Sequence, residues 1–314
     1  MSTPPFLDLP DTARARRVPT PRGAFACLEA APPARVPVRG TALLVPGFTG
    51  GKEDFIALLD PLAQRGYRVA AVDQRGQYET PGGTDDPAAY DRGALVADLA
   101  VLGEALADGR AGLPVHLVGH SFGGLVARSA VLAAPGRYTS LVLMSTGPAA
   151  IQDSEAARLA MLEDALGSHT LGQVWDAMRA MDAEAGILPP SDPRVADYLR
   201  TRWLANTPAA LIAAARQLRT EPDRTSDLAA LIAAGLPALV LSGTRDYAWP
   251  VPWQAETARR LGVRHAVVDG AAHSPNAEAP EPTAKELADF WDGTEADARH
   301  SDGAEADTAR HSRG

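Results

Sequence analysis

Ser121 stands in the pentapeptide Gly119-His120-Ser121-Phe122-Gly123, with a glycine two residues to either side. Directly before it, Pro114-Val115-His116-Leu117-Val118 reads as a short strand, and Leu125–Leu132 after it continues as a helix. A serine on so sharp a strand-to-helix turn is held in a strained backbone with its hydroxyl exposed. Side chains at 119 and 123 would collide with the neighbouring strand and helix, and Gly124 leaves further room. The chemistry this suggests is nucleophilic attack by a hydroxyl. An ordinary glycine-rich turn with a capping serine is the competing reading of the same residues.

A hydroxyl is a weak nucleophile at neutral pH and needs an adjacent base. Of the seven histidines, His116 lies within a strand and His265 begins one. His120 belongs to the turn itself and points away from its neighbour's hydroxyl. His169 falls in a helical stretch, and His300 and His311 in a repeated tail. His273 remains, on a loop after the last apolar run, His265-Ala266-Val267-Val268. Its imidazole needs a carboxylate to fix the tautomer and stabilise the cation. Asp246 follows the run Ala238–Leu241, so the chain order is Ser, Asp, His. Arg245 and Asp269 are read as solvated neighbours.

A tetrahedral intermediate also needs backbone N–H donors. One is expected from Phe122, where the helix begins. The other is expected from Phe48, in the glycine-rich turn Val45-Pro46-Gly47-Phe48-Thr49-Gly50-Gly51.

The elements that must position these groups are short apolar runs: Thr41–Val45, Tyr67–Val72, Pro114–Val118, Leu141–Met144, Ala238–Leu241 and His265–Val268. Continuous apolar runs of this length suit parallel strands buried on both faces. Stretches such as Asp54–Gln64 and Gly93–Ala107 are long enough for crossover helices. The expected fold class is α/β: a mostly parallel, twisted central sheet with helices on both faces, and ligands at the carboxyl ends of the strands.

One interval breaks the alternation. Residues 147–235 show only helical segments, Ser154–Leu166, Leu171–Ala183, Pro193–Leu204 and Pro208–Leu218, with Ser154 as an N-cap and Pro193 and Pro208 in first turns. An all-helical cap over the site is expected there. The division that follows is an N-terminal arm or leader strand over 1–22, a core over 23–146 and 236–292, the cap over 147–235, and a disordered tail over 293–314. The tail carries a near-repeat, Thr294–Gly303 and Ala304–Ser312, without a large apolar residue.

Composition bounds the partners. The chain has 314 residues, 46% hydrophobic and 22% charged, which suffices for one large α/β unit with an insertion. A net charge of −9 argues against a nucleic-acid partner. No stretch of about 18 uncharged apolar residues suggests a membrane span, and the first 17 residues lack the apolar core of an export signal, so a cytoplasmic location is expected. Cys27 is the only cysteine, which leaves no internal disulfide and no cysteine-based metal site. No cofactor or metal is expected.

With these residues assembled, the chain resembles the α/β-hydrolase superfamily, in its capped, single-domain, esterase-like branch, over about Pro37 to Trp291. The resemblance assigns nucleophile, acid and base to Ser121, Asp246 and His273. It also implies that Asp73-Gln74-Arg75-Gly76-Gln77 is a structural turn after the second strand. The family's oxyanion loop commonly begins His-Gly; Pro46 stands in the histidine's place, which removes a side chain that braces the loop. The implied activity is hydrolysis of a small, apolar carboxylic ester or lactone through an acyl-enzyme. Phe48, Phe122, Trp175, Met178 and Trp249 are candidate pocket residues. Two alternatives stand beside this reading. One is a thioesterase or acyltransferase for carrier-bound acyl groups, docked by Arg200 with Arg202 or by Arg216 with Arg219. The other is a non-catalytic ligand-binding protein of the same fold.

Overall fold

A computed structural model of the chain describes residues 1–107 and 114–294. Among the described residues eight strands form one sheet: β1 (Ala13–Thr20), β2 (Gly23–Ala30), β3 (Gly40–Val45), β4 (Tyr67–Val72), β5 (Val115–His120), β6 (Ser140–Met144), β7 (Ala238–Gly243) and β8 (His265–Val268). Their spatial order is β1-β2-β4-β3-β5-β6-β7-β8. β1 and β2 make an antiparallel hairpin, and β2 pairs antiparallel with β4. All the other pairings are parallel. Residues 13–20 are therefore a leader strand on the edge of the sheet. β2, an alanine-rich run, is a strand that its apolar pattern alone does not reveal.

The six predicted apolar runs are the six parallel strands; both faces of each are covered except at the edge strand β8, where Val267 is exposed. Leu43 and Val45 of β3 point to one side, among α2 (Arg92–Ala107), α3 (Phe122–Ala133) and α9 (Val251–Leu261). Ala42 and Leu44 point to the other, among α1 (Ile56–Gln64) and a last helix over residues 280–294. Alternation by two explains why neighbours serve opposite layers. The last helix takes in residues 293 and 294, so the expected tail begins no earlier than 295; residues 295–314 lie outside the described residues.

Between β6 and β7 the chain forms α4 (Asp153–Ser168), α5 (Leu171–Glu184), α6 (Pro193–Leu204), α7 (Pro208–Thr220) and α8 (Thr225–Ala233). Pro193 and Pro208 open their helices, as expected. Gln152, not Ser154, is the N-cap of α4, and it makes no side-chain cap bond; Ser154 lies within the first turn. α8 is an addition to the four predicted helices. The insertion has a core of its own, built on Trp175, Trp203, Leu199 and Leu211. Arg128 of α3 ties the insertion's first residues and the end of α7 down, donating to the Pro148 carbonyl at 2.5 Å and to Glu221 at 2.6 Å.

Candidate active site

Parallel strands place their carboxyl ends along one edge, and Phe48, Ser121, Asp246 and His273 all follow such ends. Ser121 is the N-cap of α3, with φ 54° and ψ −121°. A non-glycine residue in such a conformation costs about 1–3 kcal/mol, which the surroundings must impose. Here the Ser121 N–H is fixed to the Met144 carbonyl at 2.9 Å and its own carbonyl to the Gly124 N–H at 2.9 Å. A Cβ on residue 119 would fall on the Gly123 carbonyl, and one on residue 123 on the carbonyls of Val45 and Pro46. The two glycines let strand, elbow and helix close together.

The Ser121 Oγ lies 3.0 Å from His273 Nε2, and His273 Nδ1 lies 2.9 Å from Asp246 Oδ1. The loop that carries the imidazole is held on three sides. Glu278 accepts the Ala272 N–H and, at 3.1 Å, the Ser274 N–H. The His273 carbonyl accepts the Nε2–H of His120 at 2.8 Å. A carbonyl can only accept, so His120 must carry its proton on Nε2. Burial, aided by the positive charge available to His273, pushes the His120 pKa down to about 3 and keeps it neutral.

Asp246 is buried, which by itself raises its pKa. Hydrogen bonds from His273, the Ala248 N–H (2.9 Å) and Gln254 Nε2 (2.9 Å), with the His273 charge, outweigh burial and hold it below the usual carboxylate value. Gln254 is fully buried and also donates to the Trp249 carbonyl at 2.8 Å. The acid is thereby ionised and aimed.

The loop after β3 is braced from the turn after β4. Gln77 Nε2 donates to the Gly47 carbonyl at 2.8 Å and to the Phe48 carbonyl at 3.3 Å, and Gln74 Nε2 donates to the Pro46 carbonyl at 2.9 Å. The Gly47 carbonyl and the Phe48 N–H belong to one planar trans peptide and point in opposite directions. Holding the carbonyl against Gln77 therefore aims the Phe48 N–H the other way. A Cβ at Gly47 would sit 3.1 Å from Ser121 Cβ and 3.5 Å from its Oγ, so this peptide lies against the elbow. The brace that Pro46 cannot supply comes from two glutamines.

Not every predicted residue joins the site. Phe48 and Phe122 line a narrow cavity of about 20 Å³, room for little beyond one water. Trp175 and Met178 belong instead to the core of the insertion. Trp249 is fully buried, with its ring 6.3 Å from that of His273, and does not line the cavity. Arg202, expected on a basic surface, is fully buried in a 2.6 Å ion pair with Asp54. Arg216 and Arg219 both bind Glu163. His116 is buried between the sheet and Trp291, with Nδ1 at 2.9 Å from Ser140 Oγ. Sequence reasoning missed Gln77, Gln74, Gln254 and Glu278; only the position of each after a strand or a site residue could have pointed to them.

A hydroxyl, an imidazole and a carboxylate in this register can pass a proton from Ser121 to His273 as the oxygen attacks an acyl carbon. Residues 42–286 match the model of the alpha/beta hydrolase family. A carbamate hydrolase of Variovorax paradoxus, RutD, so named provisionally, is 39% identical over 110 residues; these are 35% of this chain and 39% of that protein, well short of two thirds of its length. A non-heme chloroperoxidase of Streptomyces lividans is 34% identical over 213 residues, 61% of this chain and 70% of the relative. The structure of a thermophilic esterase from Thermogutta terrifontis superposes with a TM-score of 0.67 over 90% of this chain and 100% of that one; at 23% identity the likeness is one of fold. Among the described residues no helix is long and apolar enough to cross a membrane.

Proposed function

We propose that this chain, which belongs to the alpha/beta hydrolase family, is a serine hydrolase that cleaves a small carboxylic ester or lactone with an apolar acyl group. The observation that carries the reading is the continuous register of Ser121 Oγ, His273 and Asp246, at 3.0 and 2.9 Å. In the first half-reaction the Ser121 proton passes to His273 Nε2 as Oγ bonds to the acyl carbon. The N–H groups of Phe48 and Phe122 receive the oxyanion. Collapse breaks the carbon–oxygen bond to the leaving group, which takes the proton from His273 and departs as an alcohol. Water then repeats the sequence on the acyl-enzyme and releases the acid. The helices between β6 and β7 act as a cap that limits the size of the acyl group.

Of the arginines on which the carrier-dependent thioesterase or acyltransferase reading relied, Arg202 is buried on Asp54 and Arg216 and Arg219 share Glu163, which leaves Arg200 as an exposed one. The non-catalytic reading is separated by kinetics. Ser121→Ala should abolish turnover of 4-nitrophenyl acetate without loss of folding. His273→Ala should lower kcat by about 10³ or more. A His273→Ala variant with near-native kcat overturns the assignment of the base.

A further inference from the structure

The nucleophile is shut away. Ser121 is only 7% exposed, and the cavity beside Phe48 and Phe122, of about 20 Å³, has no room for an acyl group. An element at the site must therefore move before a substrate reaches the hydroxyl. Residues 1–9, which form neither helix nor strand, are placed to be that element. The Ser2 carbonyl accepts from Arg202 Nη2 at 2.8 Å, while Arg202 Nη1 holds Asp54 at 2.6 Å. Arg202 also borders the oxyanion loop, since a Cβ on Gly51 would sit 3.3 Å from its Cδ. The Asp54 carbonyl accepts from Asn276 Nδ2 at 2.7 Å, three residues beyond His273. Burial dominates the low pKa of His120, and the charges of His273 and of the amino group at Met1 add to it, so Met1 is near that ring. The His120 ring centroid in turn lies 5.1 Å from that of His273. Ser2 thus sits where the insertion, the oxyanion loop and the loop of the base converge.

Along the rest of its length the segment is anchored lightly. Pro4 is buried, and Leu7 packs, as Phe48 does, against the core of the insertion. Asp8 grips Arg194, at the start of α6, at 2.9 and 3.2 Å, but both side chains are more than half exposed. An exposed pair of this kind is weak and screened by salt. Pro4-Pro5 stiffen the segment and Pro10 precedes β1, so it can swing as one piece. We propose that residues 1–9 are a strap that closes the active site, latched by Asp8 on Arg194, and that it lifts to admit the acyl substrate. The inference rests on the serine-hydrolase reading and adds the step that controls entry. The fraction of chains with the strap lifted then scales the rate of every reaction at Ser121.

The test replaces the latch by a removable covalent tie. Asp8→Cys with Arg194→Cys is bridged by a bismaleimide whose linker contains a disulfide. Cys27, buried and with its thiol pushed up to about 12, stays unmodified. Bridging should lower kcat/KM for 4-nitrophenyl butyrate, and the rate at which a fluorophosphonate labels Ser121, each by about tenfold or more. Reductive cleavage of the linker should restore both. Leu7→Asp, which sets a charge against the apolar core of the insertion, should raise the same two rates by about three- to tenfold in the unbridged chain. Rates indifferent to the bridge, or a loss that cleavage does not reverse, overturn the proposal, as does a folded Leu7→Asp chain no faster than wild type. Should that variant not fold, the bridge decides. A wild-type chain that neither takes label at Ser121 nor turns over the ester refutes the hydrolase reading itself, whereas an active, labelled chain indifferent to the bridge refutes only the strap.

Discussion

Gln77→Met is the sharpest probe of how the oxyanion loop is held. Methionine is close to glutamine in length but offers no N–H donor and only a weak sulfur acceptor. The change removes the bonds to the Gly47 carbonyl (2.8 Å) and the Phe48 carbonyl (3.3 Å), and the acceptor for the Gln74 N–H (3.0 Å). The Gln74 N–H is then left without a partner in a buried setting, and the Gly47 carbonyl keeps only the Gly50 N–H at 3.2 Å, so the expected loss of stability is about 1–3 kcal/mol. The kinetic effect has a different origin. With the Gly47 carbonyl held only by the Gly50 N–H, the peptide it shares with the Phe48 N–H is less firmly fixed, and one oxyanion donor is weakened or misdirected. A donor of this kind is worth about 10² to 10³ in kcat. It acts on the transition state, so KM for 4-nitrophenyl acetate should change little. Urea unfolding and steady-state kinetics on the same preparation separate the two effects. A folded variant with kcat within about threefold of wild type would refute the proposed bracing.

Two other perturbations follow from buried charge and buried neutrality. His120 binds no proton in the folded chain until about pH 3, while an unfolded histidine binds one below about 6.5. Within that window the unfolded state holds more protons, so acidification should cost stability by up to about 1.4 kcal/mol per pH unit from this group. His120→Gln, which can still donate to the His273 carbonyl, should flatten the dependence when unfolding is followed in urea from pH 6.5 to 4; an unchanged slope contradicts the assignment. Arg202→Met leaves Asp54 buried and unpaired and should destabilise the chain by about 3–5 kcal/mol, while the double variant with Asp54→Leu recovers much of that loss. Additive losses measured in urea would show that the two side chains are not coupled.

What the sequence disclosed, and what it hid, divides by the range of the interaction. Tyr67–Val72 is a strand at the very residues its apolar run predicts, because burial on both faces leaves a continuous apolar signature in the chain itself, and the edge strand His265–Val268 matches its run although Val267 is exposed. Ser121 and Asp246 were legible for a related reason: each directly follows such a run. β2 was not, since Gly-Ala-Phe-Ala-Cys-Leu-Glu-Ala has only weak strand propensity and is set by pairing with β1 and β4. The misplaced reading of Arg202 arises because its partner Asp54 is 148 residues away, and a local charge pattern cannot reveal an ion pair closed by the tertiary fold. Gln77 was hidden likewise. It lies in what reads as a plain turn, and its role exists only where β3 and β4 end side by side. The expected pocket role of Trp175 and Met178 mistakes large apolar side chains for a wall, whereas they belong to the core by which the insertion holds itself together.

The most direct test of the central claim is intact-protein mass spectrometry after exposure to a fluorophosphonate, followed by peptide mapping. The relay of Ser121, His273 and Asp246 predicts a single phosphonyl group on the peptide containing Ser121, absent in Ser121→Ala and slowed by orders of magnitude in His273→Ala. A folded wild-type chain that takes no label, or takes it on another residue, would contradict the account.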